Sequence, residues 1–122
     1  MQIDYATPTF KLYGPEERGW FYSNPFDYST LEWNLPVEKP TQLELAELSV
    51  EHYYNEEVNA WKVARDYAYP SWGDQLDQIY HEGVEAWKTS IQEIKDANPK
   101  QEFDSVELER RKQEVRDFLA GS

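Results

Sequence analysis

The sequence predicts a mainly α-helical protein: two long helices joined by a tight Pro-containing link, plus a C-terminal helix, with an N-terminal aromatic-rich hairpin or extended arm in front. Three observations predict it. Apolar residues recur at spacings of three, four and seven through residues 43–94, the mark of one covered helical face. Helix-start signals stand at Thr41 and Ser71, each just after a proline. Five of the seven prolines and nine of the nineteen aromatics fall in residues 1–40, which suits turns and short extended segments better than helices. The chain therefore divides into residues 1–40 as an N-terminal docking arm, 41–100 as a long helical pair, and 101–122 as a charged C-terminal helix.

In the arm, residues 9–13 (TFKLY) alternate, placing Phe10 and Leu12 on one face and Lys11 and Tyr13 on the other, as a strand would. Gly14 and Pro15 supply a turn, and residues 19–23 (GWFYS), with Trp20 and Phe21, read as the returning strand of a short hairpin. Beyond Asn24-Pro25 the chain reads as extended, with Leu31, Trp33 and Leu35 alternating between polar residues. A lone hairpin is marginal in water, so the arm's aromatics must pack on the helices, on another copy or on a partner.

Thr41-Gln42-Leu43-Glu44 is a capping box that starts the first helix. Its stripe runs through Leu43, Ala46, Val50, Tyr54, Trp61, Ala64 and Ala68, with Val58 beside it, and Pro70 ends it. Ser71 followed by Asp74 starts the second helix. Its stripe runs Trp72, Leu76, Ile79, Tyr80, Val84, Trp87, Ile91 and Ile94, and Asn98-Pro99 stops it. Gly83 lies inside this stripe at a cost of about 1 kcal/mol relative to alanine, either admitting a close neighbour or simply tolerated. The short link leaves open whether the two helices fold back as a hairpin or meet at a sharp angle. Residues 103–119 read as a third helix, highly charged, peripheral and mobile, with a broken stripe of Phe103, Val106, Val115, Phe118 and Leu119.

Composition excludes several function classes. The chain has 122 residues and a net charge of -12, with 11 acids and 3 bases in residues 1–61 and 13 acids and 9 bases in 62–122. Such a surface repels a phosphate backbone, so direct nucleic-acid binding is not expected. Cysteine is absent, which removes disulfides, thiolate metal sites and thiol nucleophiles. The first ten residues lack the basic flank and apolar run of a signal peptide, and no apolar stretch approaches the ~20 residues that span a bilayer.

Chemistry is equally sparse. Gly14 and Gly19 flank Pro-Glu-Glu-Arg, which would set carboxylates where phosphates belong, and no phosphate-binding loop follows. No serine sits in a nucleophile elbow. Asp77, His81 and Glu85 share a helical face but lack a second histidine, so a solvated face explains them. Glu16-Glu17 and Glu56-Glu57 have no neighbour to set one acid apart from the other. An enzyme is not expected, nor is a cofactor or a metal.

One segment resembles a known group of sequences. Residues 68–84 (AYPSWGDQLDQIYHEGV), followed by Trp87-Lys88 and by residues 94–100 (IKDANPK), resemble a helical module of small tailed-bacteriophage virion and tail-fibre-associated proteins, with Tyr-Pro-Ser ahead of Asp-Gln-Leu-Asp. The resemblance covers residues 65–100, about a third of the chain. It implies a structural or assembly role in the tail or its fibres, location in the virion tail after synthesis in the host cytoplasm, and other tail or fibre proteins as partners. It brings no enzymatic residue.

The two stripes and the arm together present more apolar face than one antiparallel helix pair covers, and large uncovered patches are rare on soluble monomers. The expected interaction residues are Phe10, Tyr13, Trp20, Phe21, Trp33, Trp61, Trp72, Leu76, Tyr80, Trp87 and Ile91, and the expected assembly is a homo-oligomer or a complex with a larger protein. The alternative packing has the arm and third helix close the core alone. The alternative function is an acidic inhibitor that mimics DNA before a host nucleic-acid enzyme. Interspersed Lys and Arg in residues 62–122 weaken the field that such a mimic needs.

Overall fold

Asp4 starts the first helix, α1 (Ala6–Tyr13). Its Oδ1 accepts the backbone N–H groups of Ala6 at 3.0 Å and Thr7 at 3.2 Å, and its Oδ2 accepts the Thr7 hydroxyl at 2.5 Å. Pro8, tolerated in a first turn, is buried together with Thr9. Residues 9–13 are thus helix and not the strand expected from their alternation, and Phe10 and Leu12 face solvent while Tyr13 is half-buried. The Asp4 cap and the two buried residues outweigh a five-residue alternation that carries little weight by itself. The computed structural model describes residues 1–121.

A hairpin is present, with different partners from those expected. β1 (Trp20–Tyr22) pairs antiparallel with β2 (Leu31–Trp33), setting Trp20 opposite Trp33, Phe21 opposite Glu32 and Tyr22 opposite Leu31. Alternation then sends Trp20 and Tyr22 inward and Phe21 outward. Between the strands, the Asp27 side chain accepts from the backbone N–H of Ser29 and holds a short turn at Tyr28–Thr30.

Four helices follow. α2 (Gln42–Ala68) starts from the expected capping box: Thr41 N–H donates to Glu44 Oε2, and Glu44 N–H donates to Thr41 Oγ1, both at 3.1 Å. α3 (Trp72–Glu82) starts where Ser71 Oγ accepts from Asp74 N–H at 3.1 Å. The second long helix expected from the sequence is in fact two, because the chain breaks at Gly83 and resumes as α4 (Val84–Ala97). Gly83 has φ 91° and ψ 167°, a backbone region that is essentially glycine-only. α5 (Ser105–Ala120) is capped by Asp104, whose Oδ1 accepts from Val106 N–H at 2.9 Å.

These elements form two compact units, one of Met1–Asn55 with the chain from Asp104 onward, the other of Glu56–Phe103. In the first, Ile3, Tyr5, Trp20, Tyr22, Leu31, Leu45, Ala46 and Val115 make a common core, so arm, start of α2 and α5 share one interior. Edge-on ring pairs tighten it, Tyr5 with Tyr28 at 5.9 Å and Tyr13 with Trp33 at 4.9 Å. Buried polar tips find acceptors: Trp20 Nε1 donates to Gly14 O at 2.9 Å, and Tyr22 Oη lies 3.0 Å from Thr9 Oγ1. Burial raises the Tyr22 hydroxyl pKa above its ordinary value, with the Thr9 hydrogen bond opposing.

α5 does not take the peripheral place expected of it. Val115 is buried, Arg116 donates to Glu47 at 2.5 Å, Lys112 to Glu51 at 3.2 Å, and the Arg111 guanidinium lies 4.7 Å from the Tyr54 ring centre. The Tyr54 hydroxyl donates to Asp104 O at 3.2 Å and accepts from Asp104 N–H at 3.0 Å. Along α5 itself, Arg110 and Arg111 donate to Glu107, and Arg110 also to Glu114. The hydrogen bonds from Arg110 and Arg111 hold the Glu107 carboxyl at about 2, below its ordinary 4.5. A depressed folded-state pKa contributes stability that is complete above the ordinary value and is lost as the proton binds. The helical signal of the chain should therefore decline as pH falls from 4.5 toward about 2. The decline should be smaller in about 1 M salt, because screening of these exposed pairs returns the Glu107 carboxyl toward its ordinary value. Circular dichroism at 222 nm checks this.

Candidate functional site

The second unit has a different character from the first. The final part of α2, with α3 and α4, holds one residue that is fully covered, Val58, and the other apolar side chains are half-buried or exposed. Its internal contacts are specific nonetheless. Arg65 donates from Nε to Asn98 O at 2.9 Å, tying α2 to the end of α4. Trp87 Nε1 donates to Gln75 Oε1 at 3.0 Å, and Gln78 Nε2 donates to Ser90 Oγ at 2.7 Å.

Those two glutamines decide which side of α3 remains free. They lie on the flank that meets α4 together with half-buried Ile79. At about 100° per residue, Trp72, Leu76 and Tyr80 then project within about 80° of one another, away from that flank. All three are exposed, at 79%, 63% and 84%. This corrects the sequence expectation of a single stripe covered from Trp72 to Ile94. The Gly83 break covers the α4 half in part, with Trp87, Ile91 and Ile94 half-buried, and leaves the α3 half in water. Next to the stripe stands Asp77, about 60° beyond Tyr80, whereas Asp74 lies about 120–160° round the helix from the three anchors. Among the described residues neither carboxylate is in an ion pair, and α3 contains no Lys or Arg. His81 packs edge-on to Tyr80 with ring centres 4.9 Å apart.

The remaining expected interaction residues do not gather here. Phe10 and Phe21 are exposed on the first unit. Trp20 is in the core there, and Tyr13 and Trp33 pack against it. Trp61 is half-buried in the second unit, its ring flanked by Lys62 at 5.6 Å and Arg65 at 4.7 Å. The Trp61 Nε1–H is buried with no acceptor among the described residues. An unmade buried hydrogen bond costs about 1–3 kcal/mol, so Trp61→Phe should keep the ring packing and leave stability unchanged or up to about 1 kcal/mol higher. Thermal denaturation of the full chain tests this. Sequence reasoning missed Val63 and Tyr67, exposed one turn apart near the end of α2. Their spacing from the Ala64 and Ala68 stripe was a usable signal.

A site for small-molecule chemistry has weaker grounds. A cleft of about 460 Å³ lies in the first unit, lined by Ile3, Asp4, Val50, Tyr53, Tyr54 and Arg111 among others. Two of its charged groups are already committed. Asp4 receives Tyr53 Oη as well as its cap partners, and Arg111 donates to Glu107. Burial pushes the Asp4 carboxyl pKa up, and these hydrogen bonds more than offset it, leaving it below the ordinary value. Among the described residues no group of three or more His, Asp or Glu side chains is placed to hold a metal ion, and no helix is long and apolar enough to cross a membrane. Compared with protein families, curated proteins and solved structures, the chain matches none.

Proposed function

We propose that the chain is a non-enzymatic structural or assembly component of a bacteriophage tail or tail-fibre apparatus, acting through protein–protein contacts made by α3. The observation that carries this is the stripe of Trp72, Leu76 and Tyr80, three large apolar side chains left in water on one face of a well-capped helix. Aromatics of this size cover on the order of 150–250 Å² each when buried, and they are enriched at interface centres. The phage context rests on the resemblance of residues 65–100, whose Tyr-Pro-Ser and Asp-Gln-Leu-Asp parts form the start and first turns of α3. Self-association through the same face is the second arrangement. The DNA-mimic reading has less support, since Glu107, Glu109 and Glu114 on α5 are each paired with arginine and do not form a free acidic row.

The test is co-purification with washed tail particles. The native chain should remain bound, and a Trp72→Ser/Leu76→Ser/Tyr80→Ser variant should be lost while melting at the same temperature. A native chain that is a monodisperse monomer and absent from washed particles overturns the proposal.

A further inference from the structure

We infer that the partner of α3 is a basic-flanked amphipathic helix, which lays its apolar stripe along Trp72, Leu76 and Tyr80 and sets a Lys or Arg side chain opposite Asp77. This rests on the docking role proposed above and specifies its occupant. The three anchors lie at i, i+4 and i+8, a row about 12 Å long at 1.5 Å per residue. Such rows are the ridges by which two helices interlock. Charge then selects among helices. Beside the stripe stands one carboxylate, Asp77, without an ion-pair partner among the described residues, and α3 carries no Lys or Arg, His81 being its one basic-type side chain. A second copy would set the two Asp77 carboxylates at one contact with no Lys or Arg from either α3, and like charges across an interface cost several kcal/mol. An anionic lipid surface is repelled for the same reason. A helix with Lys or Arg beside its stripe turns the Asp77 carboxylate into an attractive contact that also steers the encounter.

The experiment uses the full chain and two labelled peptides of about 18 residues, long enough to be helical in water. Both carry the same leucine stripe, one flanked by lysine and the other by glutamate. Fluorescence anisotropy should show the lysine peptide binding at least about tenfold more tightly than the glutamate peptide. Trp72→Ser/Leu76→Ser/Tyr80→Ser should abolish that binding. Asp77→Asn should weaken it several-fold and flatten its salt dependence. Equal binding of the two peptides overturns the basic partner and leaves the docking face standing. Lysine-peptide binding that survives the serine variant also overturns it, because the peptide then follows net charge elsewhere. If neither peptide binds while light scattering shows a dimer that the serine variant dissolves, the occupant is a second copy. If no association depends on the stripe at all, the docking role itself fails.

Discussion

Leu45→Ala should destabilise the chain by about 2–5 kcal/mol, whereas Leu76→Ala should change its stability by less than about 0.5 kcal/mol. The chemical change is the same, and the environments differ. Leu45 is 0% exposed within the core that includes Tyr5, Trp20, Tyr22 and Val115. Removing its isobutyl group sacrifices transfer free energy and leaves a cavity that the aromatic rings around it fill poorly. Leu76 is 63% exposed, so truncation removes little that folding had covered. Urea denaturation of both variants, followed by circular dichroism, gives the comparison. A loss at Leu76 comparable to that at Leu45 would mean that the α3 stripe is covered in solution.

The second large effect is expected at glycine. Gly83→Ala should cost about 1–3 kcal/mol, because alanine must adopt φ 91° and ψ 167° if α3 is to stop where it does. Among the described residues, none beyond the two chain neighbours comes within 4 Å of the added Cβ, so the cost is backbone strain and not collision. Gly73→Ala is the control. Gly73 lies in the first turn of α3 without a positive φ, and its nearest atom, Ser71 Oγ, would be 3.9 Å from the new Cβ. That substitution should stabilise by about 0.4–1 kcal/mol through the unfolded chain. Gly83→Ala should also raise the helical signal, since alanine favours joining α3 to α4. It should alter the Trp87 emission as the indole leaves Gln75 Oε1. Two alanine variants of equal stability would contradict the break.

The same residue explains what was legible in the sequence and what was not. Caps are local, with donor and acceptor within three residues, so Thr41 with Glu44 and Ser71 with Asp74 could be read directly, and the helices begin there. The stripe from Trp72 to Ile94 was also real as a pattern. Its meaning depends on whether the helix runs through Gly83, and periodicity is in phase on both sides of that position whether it bends or not. Gln75 and Gln78 held the missing clue, as polar residues at helical spacing that turn out to face α4. In the arm, alternation over residues 9–13 hid a helix whose start is Asp4, and the true partner of residues 20–22 lay beyond an eight-residue connection. For α5, heavy charge suggested a detached helix. Its arginine and lysine partners, Glu47 and Glu51, are more than sixty residues away, a pairing that no local pattern reveals. The candidate site was half legible: Trp72, Leu76 and Tyr80 were expected to make contacts, but as members of a covered stripe that included Trp87 and Ile91.

The most direct measurement places a photoreactive phenylalanine analogue at Leu76 and, separately, at Lys88, which is also exposed but belongs to α4. After assembly of particles and irradiation, position 76 should form an adduct with a tail protein through a basic helical segment, and position 88 should not. Adducts at neither position, or equally at both, would contradict a partner seated on the aromatic face of α3.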